Sequence, residues 1–167
     1  LELRRRGHAV SFAVMEAYRE KMDALGFAMS PLRPNLDPND KELARAVMDL
    51  KTGTEKLVRE ILMPNLRPMY EDLTAAVAGA DLLVTGEVIY PAASVVEKTG
   101  IRWISTSLAP ISFLSAHDPL VPPVATWTEN LRFLGASVHQ VMFAFMRGTI
   151  KHWYEPYRRF RRELGLS

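Results

Sequence analysis

The 167-residue sequence contains no cysteine. This absence excludes disulfide bonds, zinc–thiolate sites and thiol nucleophiles, and it is compatible with a reducing compartment. No apolar run reaches the ~18 residues that a membrane-spanning helix needs. The excess of basic over acidic side chains is small, with a formal net charge of +2, so overall charge does not indicate a nucleic-acid partner.

Motifs that identify common enzyme classes are also missing. No G-x-G-x-x-G follows a predicted strand and no G-x-x-x-x-G-K is present, which removes the two familiar glycine-rich phosphate cradles. The sequence has no G-x-S-x-G nucleophile elbow of a serine hydrolase. Its histidines do not form a pair with the spacing of metal ligands, so we predict no metal site.

The composition is that of a folded protein. Hydrophobic residues make up 48% of the chain and charged residues 24%, as in ordinary globular domains. A chain of this length buries a sizeable core. We therefore predict one domain over residues 1–167.

A helix–glycine–strand pattern recurs along the chain. The copies span residues 1–14, 16–32 and 91–107. In the first copy, Arg4, Arg5 and Arg6 suit the negative end of a helix dipole, and Gly7 supplies a left-handed cap. A further strand is predicted at 80–86. Because the strands are short, apolar and not joined by tight hairpin turns, the pattern favours parallel strands connected by helices, an α/β fold.

The remaining segments are predicted to be helical or irregular. A helix should begin at Asp37 and Pro38, and the helical region 54–78 should break at Pro64 and Pro68. The proline-rich segment after residue 107 predicts a long ordered loop. From about residue 126 the chain should be helical, and the stretch 141–146 (VMFAFM) is expected to form helical core.

The loop 85–94 and the proline-rich loop after residue 107 are the predicted functional region. Each follows a strand of a parallel sheet, and ligands of such sheets bind beyond the carboxyl ends of the strands. Because both loops leave the same edge, we expect them to form one site.

Several segments together resemble a known enzyme family. They are LRRRGHAVSFAV, ALGFAMSPL, ADLLVTGEVIYPAASVVEKTGIRWISTSLAPISFLSAHDP and YRRFRRELGL. In combination they are similar to the N-terminal half of GT-B-fold glycosyltransferases, of the family-1/family-28 type that glycosylates lipids, sterols and natural products. The resemblance covers nearly the whole chain. It implies a Rossmann-like parallel sheet with flanking helices, one half of a GT-B fold.

The resemblance also implies that the chain is an N-terminally incomplete acceptor-binding domain. The first strand, with a glycine-rich turn and a catalytic histidine, would lie upstream, between the strands at 9–14 and 81–86 in the sheet. A C-terminal donor domain would bind the nucleotide sugar, a UDP- or dTDP-sugar, so no cofactor is expected in this chain. The parent enzyme would transfer a hexose or deoxyhexose to a hydroxyl of a lipophilic acceptor, and this chain alone would be inactive.

Glu87 is the one catalytic residue that the resemblance suggests within this chain. In the family a carboxylate at this strand end orients the catalytic histidine, although the family position coincides here with Gly86. The alternative is a carboxylate favoured by the amino-terminal end of the next helix. The predicted acceptor-binding residues are Gly86, Tyr90, Ile111, Phe113, His117 and Asp118. The corresponding alternatives are an ordinary turn at Asp118 and a loop that packs on its own core.

Two other functions stay open from the sequence. One is a non-catalytic α/β module that binds a lipid or a protein, and the other is a different Rossmann-type nucleotide-dependent enzyme. The basic and aromatic stretch 147–162 is interpreted either as a solvated helix face or as a peripheral contact with anionic lipid. We expect a cytoplasmic protein, peripheral at the inner membrane face in the second case, with no nucleic-acid partner.

Overall fold

The computed structural model describes residues 1–108, 115–119, 121 and 126–167. The strands are β1 (Ser11–Val14), β2 (Ala28–Pro31), β3 (Leu82–Gly86) and β4 (Arg102–Thr106). The α-helices are α1 (Glu2–Arg5), α2 (Arg19–Ala24), α3 (Lys41–Val47), α4 (Gly53–Lys56), α5 (Leu66–Ala76), α6 (Ala92–Thr99), α7 (Ala136–Ile150) and α8 (Glu155–Glu163). The 3₁₀ segments are Glu16–Tyr18, Thr126–Leu134 and Lys151–Tyr154, and the residues Leu57–Leu62 form a π-helical segment.

The predicted α/β class is confirmed, and the strands expected at 9–14 and 80–86 are found at Ser11–Val14 and Leu82–Gly86, within two residues of the predicted bounds. Three helices end as the sequence predicts, at glycines whose φ angles are 85° (Gly7), 67° (Gly26) and 72° (Gly100). A side chain at these left-handed positions would be strained, so glycine ends each helix and turns the chain into the next strand.

One helix start differs from its prediction. The helix expected at Asp37 begins instead at Lys41. The reason is local, because one carboxylate oxygen of Asp40 accepts hydrogen bonds from the amides of Glu42 and Leu43, each at 2.9 Å. Asp40 therefore satisfies the first free amides of α3 and acts as its N-cap.

The strands form two parallel pairs. β1 pairs with β2 in a register that places Ala13 opposite Ser30. β3 pairs with β4 in a register that places Val84 opposite Ile104. Each pair is a separate two-stranded sheet, so the described residues do not form the single sheet that the α/β pattern suggested.

Both sheets rest on one hydrophobic core built around α5. Its buried residues are Leu32, Leu62, Met69, Leu73, Val77, Ala92 and Val95. Ala13 of β1 and Leu83 of β3 pack against this same cluster. Leu73 and Val95 are 2% and 0% exposed, which places the centre of the core between α5 and α6.

The C-terminal helix α8 is anchored to the other side of α5. Phe160 is buried with Val58, Met63 and Leu66, and its ring meets Tyr70 edge-on with centroids 5.4 Å apart. The guanidinium of Arg161 pairs with the carboxylate of Glu97 in α6, with Nη1–Oε1 at 2.8 Å and Nη2–Oε2 at 3.0 Å. These contacts join the end of the chain to the helices that support the strands.

The helix α7 buries only one side of the stretch 141–146, which corrects the expectation of helical core throughout. Phe143 is 8% exposed, whereas Val141 and Phe145 are 69% and 76% exposed. Val141 and Phe145 lie four residues apart and share a face, while Phe143 points about half a turn away. The period of the α-helix therefore places a row of apolar side chains on the surface. This row is here called the α7 stripe (Val138, Val141, Phe145).

Candidate functional site

The carboxyl ends of β3 and β4 bring the predicted catalytic residue next to a hydroxyl. Gly86 and Thr106 are paired at the ends of the two strands, and the chain continues directly into Glu87 and Ser107. The Oγ of Ser107 donates to Oε2 of Glu87 at 3.1 Å. The loops that follow β3 and β4 thus begin side by side, as the parallel arrangement predicts.

Side-chain hydrogen bonds hold this end of the sheet. Thr85 is 7% exposed, and its Oγ1 accepts from the indole Nε1 of Trp103 at 2.9 Å. The Thr106 hydroxyl donates to the carbonyl oxygen of Thr85 at 3.0 Å. These two hydrogen bonds join the ends of β3 and β4 immediately before Glu87, so the backbone that carries the Glu87 carboxylate is held in place.

Glu87 does not cap the following helix. The N-cap of α6 is Pro91, with no side chain bonding to its first amides. The carboxylate instead lies exposed on the surface and reaches sideways to Ser107. Within the parts of the chain that the structure describes, its second oxygen has no hydrogen-bond partner, so that oxygen is available to a ligand or to another group.

Gly86 leaves open space at the same edge. A Cβ built on Gly86 meets no atom within 4 Å, and its φ lies outside the left-handed region. The described fold would accept a larger residue here. The glycine therefore keeps the strand end open without being needed for the backbone conformation.

The Tyr90 side chain packs against aromatic residues near the C-terminus. Its hydroxyl lies 3.3 Å from that of Tyr154, and its ring centroid is 6.2 Å from that of Tyr157. Burial, followed by the hydrogen bond with Tyr154, raises the pKa of the Tyr90 phenol, and the charge of Glu87 adds to the shift. Tyr90 is thus a protonated, half-buried residue at physiological pH, close enough to Glu87 to feel its charge.

The other predicted acceptor residues belong to the loop after β4. Ile111 and Phe113 lie outside the described residues. His117 and Asp118 are both exposed, and the amide of Asp118 donates to Oγ of Ser115 at 3.2 Å. That bond is the local turn that the sequence offered as the alternative at Asp118, and it is compatible with a binding role as well.

His139 links two segments of the chain. The sequence placed this residue in a helix but did not indicate the link. It is 3% exposed, with Nδ1 at 2.9 Å from the carbonyl oxygen of Ala116 and Nε2 at 3.1 Å from that of Leu131. The imidazole therefore fastens α7 to the segment that carries His117 and Asp118. A histidine on an apolar helix face was the available signal, but its partners lie 23 and 8 residues away.

A separate groove lies between the start of α5 and α8, away from the strand ends. It has a volume of about 430 Å³, and its walls include Met63, Arg67, His152 and Phe160. Arg67 Nη2 pairs with Glu163 Oε2 at 2.5 Å, and the same guanidinium lies over the Phe160 ring at 5.5 Å. The Arg67 guanidinium is therefore already paired with a carboxylate within the groove.

Part of the basic stretch 147–162 is engaged in ion pairs with nearby carboxylates. Arg158 and Arg162 both pair with Glu155, at 3.7 and 3.0 Å, and Arg161 pairs with Glu97. Both interpretations of the stretch, a solvated helix face and a contact with anionic lipid, stay predictions. The α7 stripe, next to this stretch in the sequence, also carries exposed apolar side chains.

The described residues contain no group of three or more His, Cys, Asp or Glu side chains placed to hold a metal ion. None of the helices in these parts of the chain combines the length and apolar character needed to cross a bilayer.

The fold and the strand ends define an α/β protein with parallel strand pairs and polar side chains at their carboxyl edge. A comparison with models of known protein families finds no match. The chain is similar to uncharacterized proteins of Mycobacterium bovis and Mycobacterium tuberculosis, with 32% identity over 99 residues in each case. The matched stretch covers 56% of this chain and 23% of each relative, so the chain spans much less than the full length of these proteins.

Proposed function

We propose that this chain is the acceptor-binding half of a glycosyltransferase. The whole protein would move a hexose or deoxyhexose from a nucleotide sugar to a hydroxyl of a lipophilic acceptor. The observation that carries the proposal is the meeting of Glu87 and Ser107 at the carboxyl edge of a parallel strand pair, where α/β enzymes bind ligands. The resemblance of the sequence to GT-B enzymes supplies the reaction class.

The chemistry requires a base that removes the acceptor proton as the hydroxyl oxygen attacks the anomeric carbon. In the proposal that base is a histidine from a segment outside this chain, and Glu87 is the positioning residue that orients it. The Ser107 hydroxyl donates to one carboxylate oxygen, which fixes the side chain and leaves the other oxygen for the imidazole N–H. A carboxylate held in this way stabilises the imidazolium that forms during transfer.

The acceptor would lie along the same edge. Gly86 keeps the end of β3 free of a side chain, and His117 and Asp118 stand on the loop that His139 fastens to α7. In the proposal Ile111 and Phe113 add the apolar contacts that a lipophilic acceptor needs. The nucleotide-sugar donor would bind to a separate C-terminal domain, and the protein would work in the cytoplasm.

A non-catalytic module that binds a lipid or a protein is the second candidate. The observation that favours it is the α7 stripe, since Val141 and Phe145 are 69% and 76% exposed. Exposed apolar patches commonly mark interaction surfaces. A binding module and an acceptor domain differ in one measurable respect, which is turnover of a nucleotide sugar.

The test is sugar transfer by the full-length protein encoded around this segment. UDP- and dTDP-hexoses are supplied with a panel of lipophilic alcohols, and glycosylated product is measured by mass spectrometry. We expect product from the full-length protein and none from residues 1–167 alone. Glu87→Gln should reduce kcat by about 100-fold or more, within the range of a general-base contribution, with a smaller change in acceptor KM.

Glu42→Gln is the matched control, because Glu42 is an exposed carboxylate on α3, outside the strand-end site. It should leave kcat unchanged. A Glu87→Gln enzyme that stays within about twofold of wild type would show that Glu87 has only a structural role. Turnover by residues 1–167 would show that the donor site lies within this chain, contrary to the proposal.

A further inference from the structure

The groove between the start of α5 and α8 has a preformed apolar side. Its volume of about 430 Å³ lies within the range of small-molecule sites in proteins. Three of its lining residues, Met63, Leu66 and Phe160, are only 5%, 3% and 5% exposed, and they pack together in one hydrophobic cluster. They are here called the groove floor (Met63, Leu66, Phe160). Because the core holds these side chains in place, a ligand would meet a surface that is already formed.

A row of alternating charges runs along the α8 side of the groove. Glu155, Arg159 and Glu163 all line it, and they follow one another at intervals of four residues, which places them on one face of the helix. In such a row the middle arginine would ordinarily pair with the carboxylate one turn before it or one turn after it.

Other arginines already hold both of these carboxylates. Oε1 of Glu155 lies 3.0 Å from Nη2 of Arg162, and its Oε2 lies 3.7 Å from Nη1 of Arg158. At the other end of the row, Oε2 of Glu163 lies 2.5 Å from Nη2 of Arg67. The two carboxylates beside the middle arginine are therefore engaged elsewhere.

Arg159 is left as a cation without a partner. It is exposed, and within the described parts of the chain it has neither an ion pair nor a side-chain hydrogen bond. Its guanidinium carries five N–H donors in a fixed planar fork. His152 lines the same groove, but its Nδ1 already donates to the carbonyl oxygen of Thr149 at 3.0 Å. The groove thus places one unpaired guanidinium beside a buried apolar floor.

We propose that this groove binds a small organic monocarboxylate, with its carboxylate on Arg159 and its apolar part against the groove floor. A guanidinium and a carboxylate match each other in two parallel hydrogen bonds. One unpaired cation suits a single negative charge. A doubly charged group such as a phosphate monoester is disfavoured, because Glu155 and Glu163 lie one turn away on either side.

The proposed site is separate from the strand ends where Glu87 and Ser107 meet. It is built from α8 and from the segment that leads into α5, and no residue of β3 or β4 is among the described residues that line it. The proposal therefore goes beyond the proposed sugar transfer and does not depend on it.

A titration with straight-chain carboxylates tests the proposal. Butanoate, hexanoate and octanoate are added to the full-length protein, and binding is measured by ligand-observed NMR. We expect octanoate to bind with a dissociation constant of about 1 mM or below. Each added CH₂ should strengthen binding by up to about fourfold, because it covers more of the groove floor. Octanamide, which lacks the charge, should bind at least about tenfold more weakly than octanoate, and hexyl phosphate should bind more weakly than hexanoate.

Substitutions of Arg159 locate the binding. Arg159→Gln should weaken octanoate binding at least about tenfold, since it removes a charge-assisted hydrogen bond. Arg159→Lys keeps the charge but loses the planar fork, so its affinity should fall between those of the glutamine variant and wild type. The matched control is Arg45→Gln, which removes the same charge from an exposed position on α3 outside the groove and should leave the affinity unchanged. Urea unfolding of each variant checks that the fold is intact.

Several results would overturn the proposal. They are no octanoate binding up to about 10 mM, equal binding of octanamide, and an affinity that does not rise with chain length. Tighter binding of hexyl phosphate would show that the site is not built for a single charge. An unchanged affinity in a folded Arg159→Gln protein would place the ligand elsewhere. None of these measurements involves sugar transfer, so the proposed function and this proposal can fail independently.

Discussion

The substitution Gly53→Ala tests the structure, because the structure predicts a loss of stability where the same substitution in a helix usually increases stability. Replacing a helical glycine by alanine ordinarily stabilises a protein, by about 0.5–1 kcal/mol in a helix interior. Gly53 is the first residue of α4 and is buried. A Cβ at this position would lie 2.2 Å from the carbonyl oxygen of Val47 and 2.7 Å from its carbonyl carbon.

The close approach is built by the turn between α3 and α4. The carboxylate of Asp49 accepts hydrogen bonds from the amides of Lys51 and Thr52, at 3.0 and 2.7 Å, and folds Gly53 back against Val47. Both atoms that the Cβ would strike belong to the backbone, so a rotamer change cannot relieve the contact. The chain would have to move by about 1 Å, and overpacking of this kind costs about 1–3 kcal/mol.

Gly148→Ala is the matched control. Gly148 also lies in a helix, α7, but its Cβ would meet nothing within 4 Å. We therefore expect Gly53→Ala to lower the free energy of unfolding by about 1–2 kcal/mol, and Gly148→Ala to raise it by up to about 1 kcal/mol. Urea unfolding followed by circular dichroism measures both. A Gly53→Ala protein as stable as wild type would refute the close approach.

Three other predictions concern the site and its support. Gly86→Ala should leave the unfolding midpoint unchanged but raise acceptor KM several-fold in the full-length enzyme, since its Cβ meets no protein atom; an unchanged KM would remove Gly86 from the binding site. His139→Leu leaves at least one of the two neighbouring carbonyl oxygens without its imidazole donor and should cost about 1–3 kcal/mol in urea unfolding, whereas the exposed His152→Leu should cost much less. Hydrogen bonds from Arg33 lower the pKa of the Asp72 carboxyl. The interaction therefore stabilises the folded protein fully above the unfolded pKa of about 4, and this stabilisation is lost as the pH falls through the lower folded pKa. The stability difference between wild type and Asp72→Asn should therefore narrow below about pH 4, and a difference independent of pH would contradict the ion pair.

The local elements were largely predictable from the sequence, because their causes are local. Gly7, Gly26 and Gly100 end helices through their own backbone freedom, and the structure confirms all three at positive φ. The break near Pro64 is also present, since α5 begins only at Leu66, but no break occurs at Pro68, which lies in the first turn of α5 where a proline's missing N–H is tolerated. The helix start near Asp37 was misplaced because Asp40, three residues later, bonds to two amides of α3.

The sequence by itself determined the α/β class and the strand positions, and it indicated the strand end at Glu87 as the place for chemistry. Tertiary structure decided which groups meet there. The partner of Glu87 is Ser107, twenty residues on, and Tyr90 turns to Tyr154, sixty-four residues on. The spacing of hydrophobic residues and the positions of turn residues indicate only contacts between residues that are close in the sequence. Contacts between distant segments depend on how the helices pack, which these local patterns do not specify. The same reason explains why only the folded chain revealed the two separate strand pairs resting on one core.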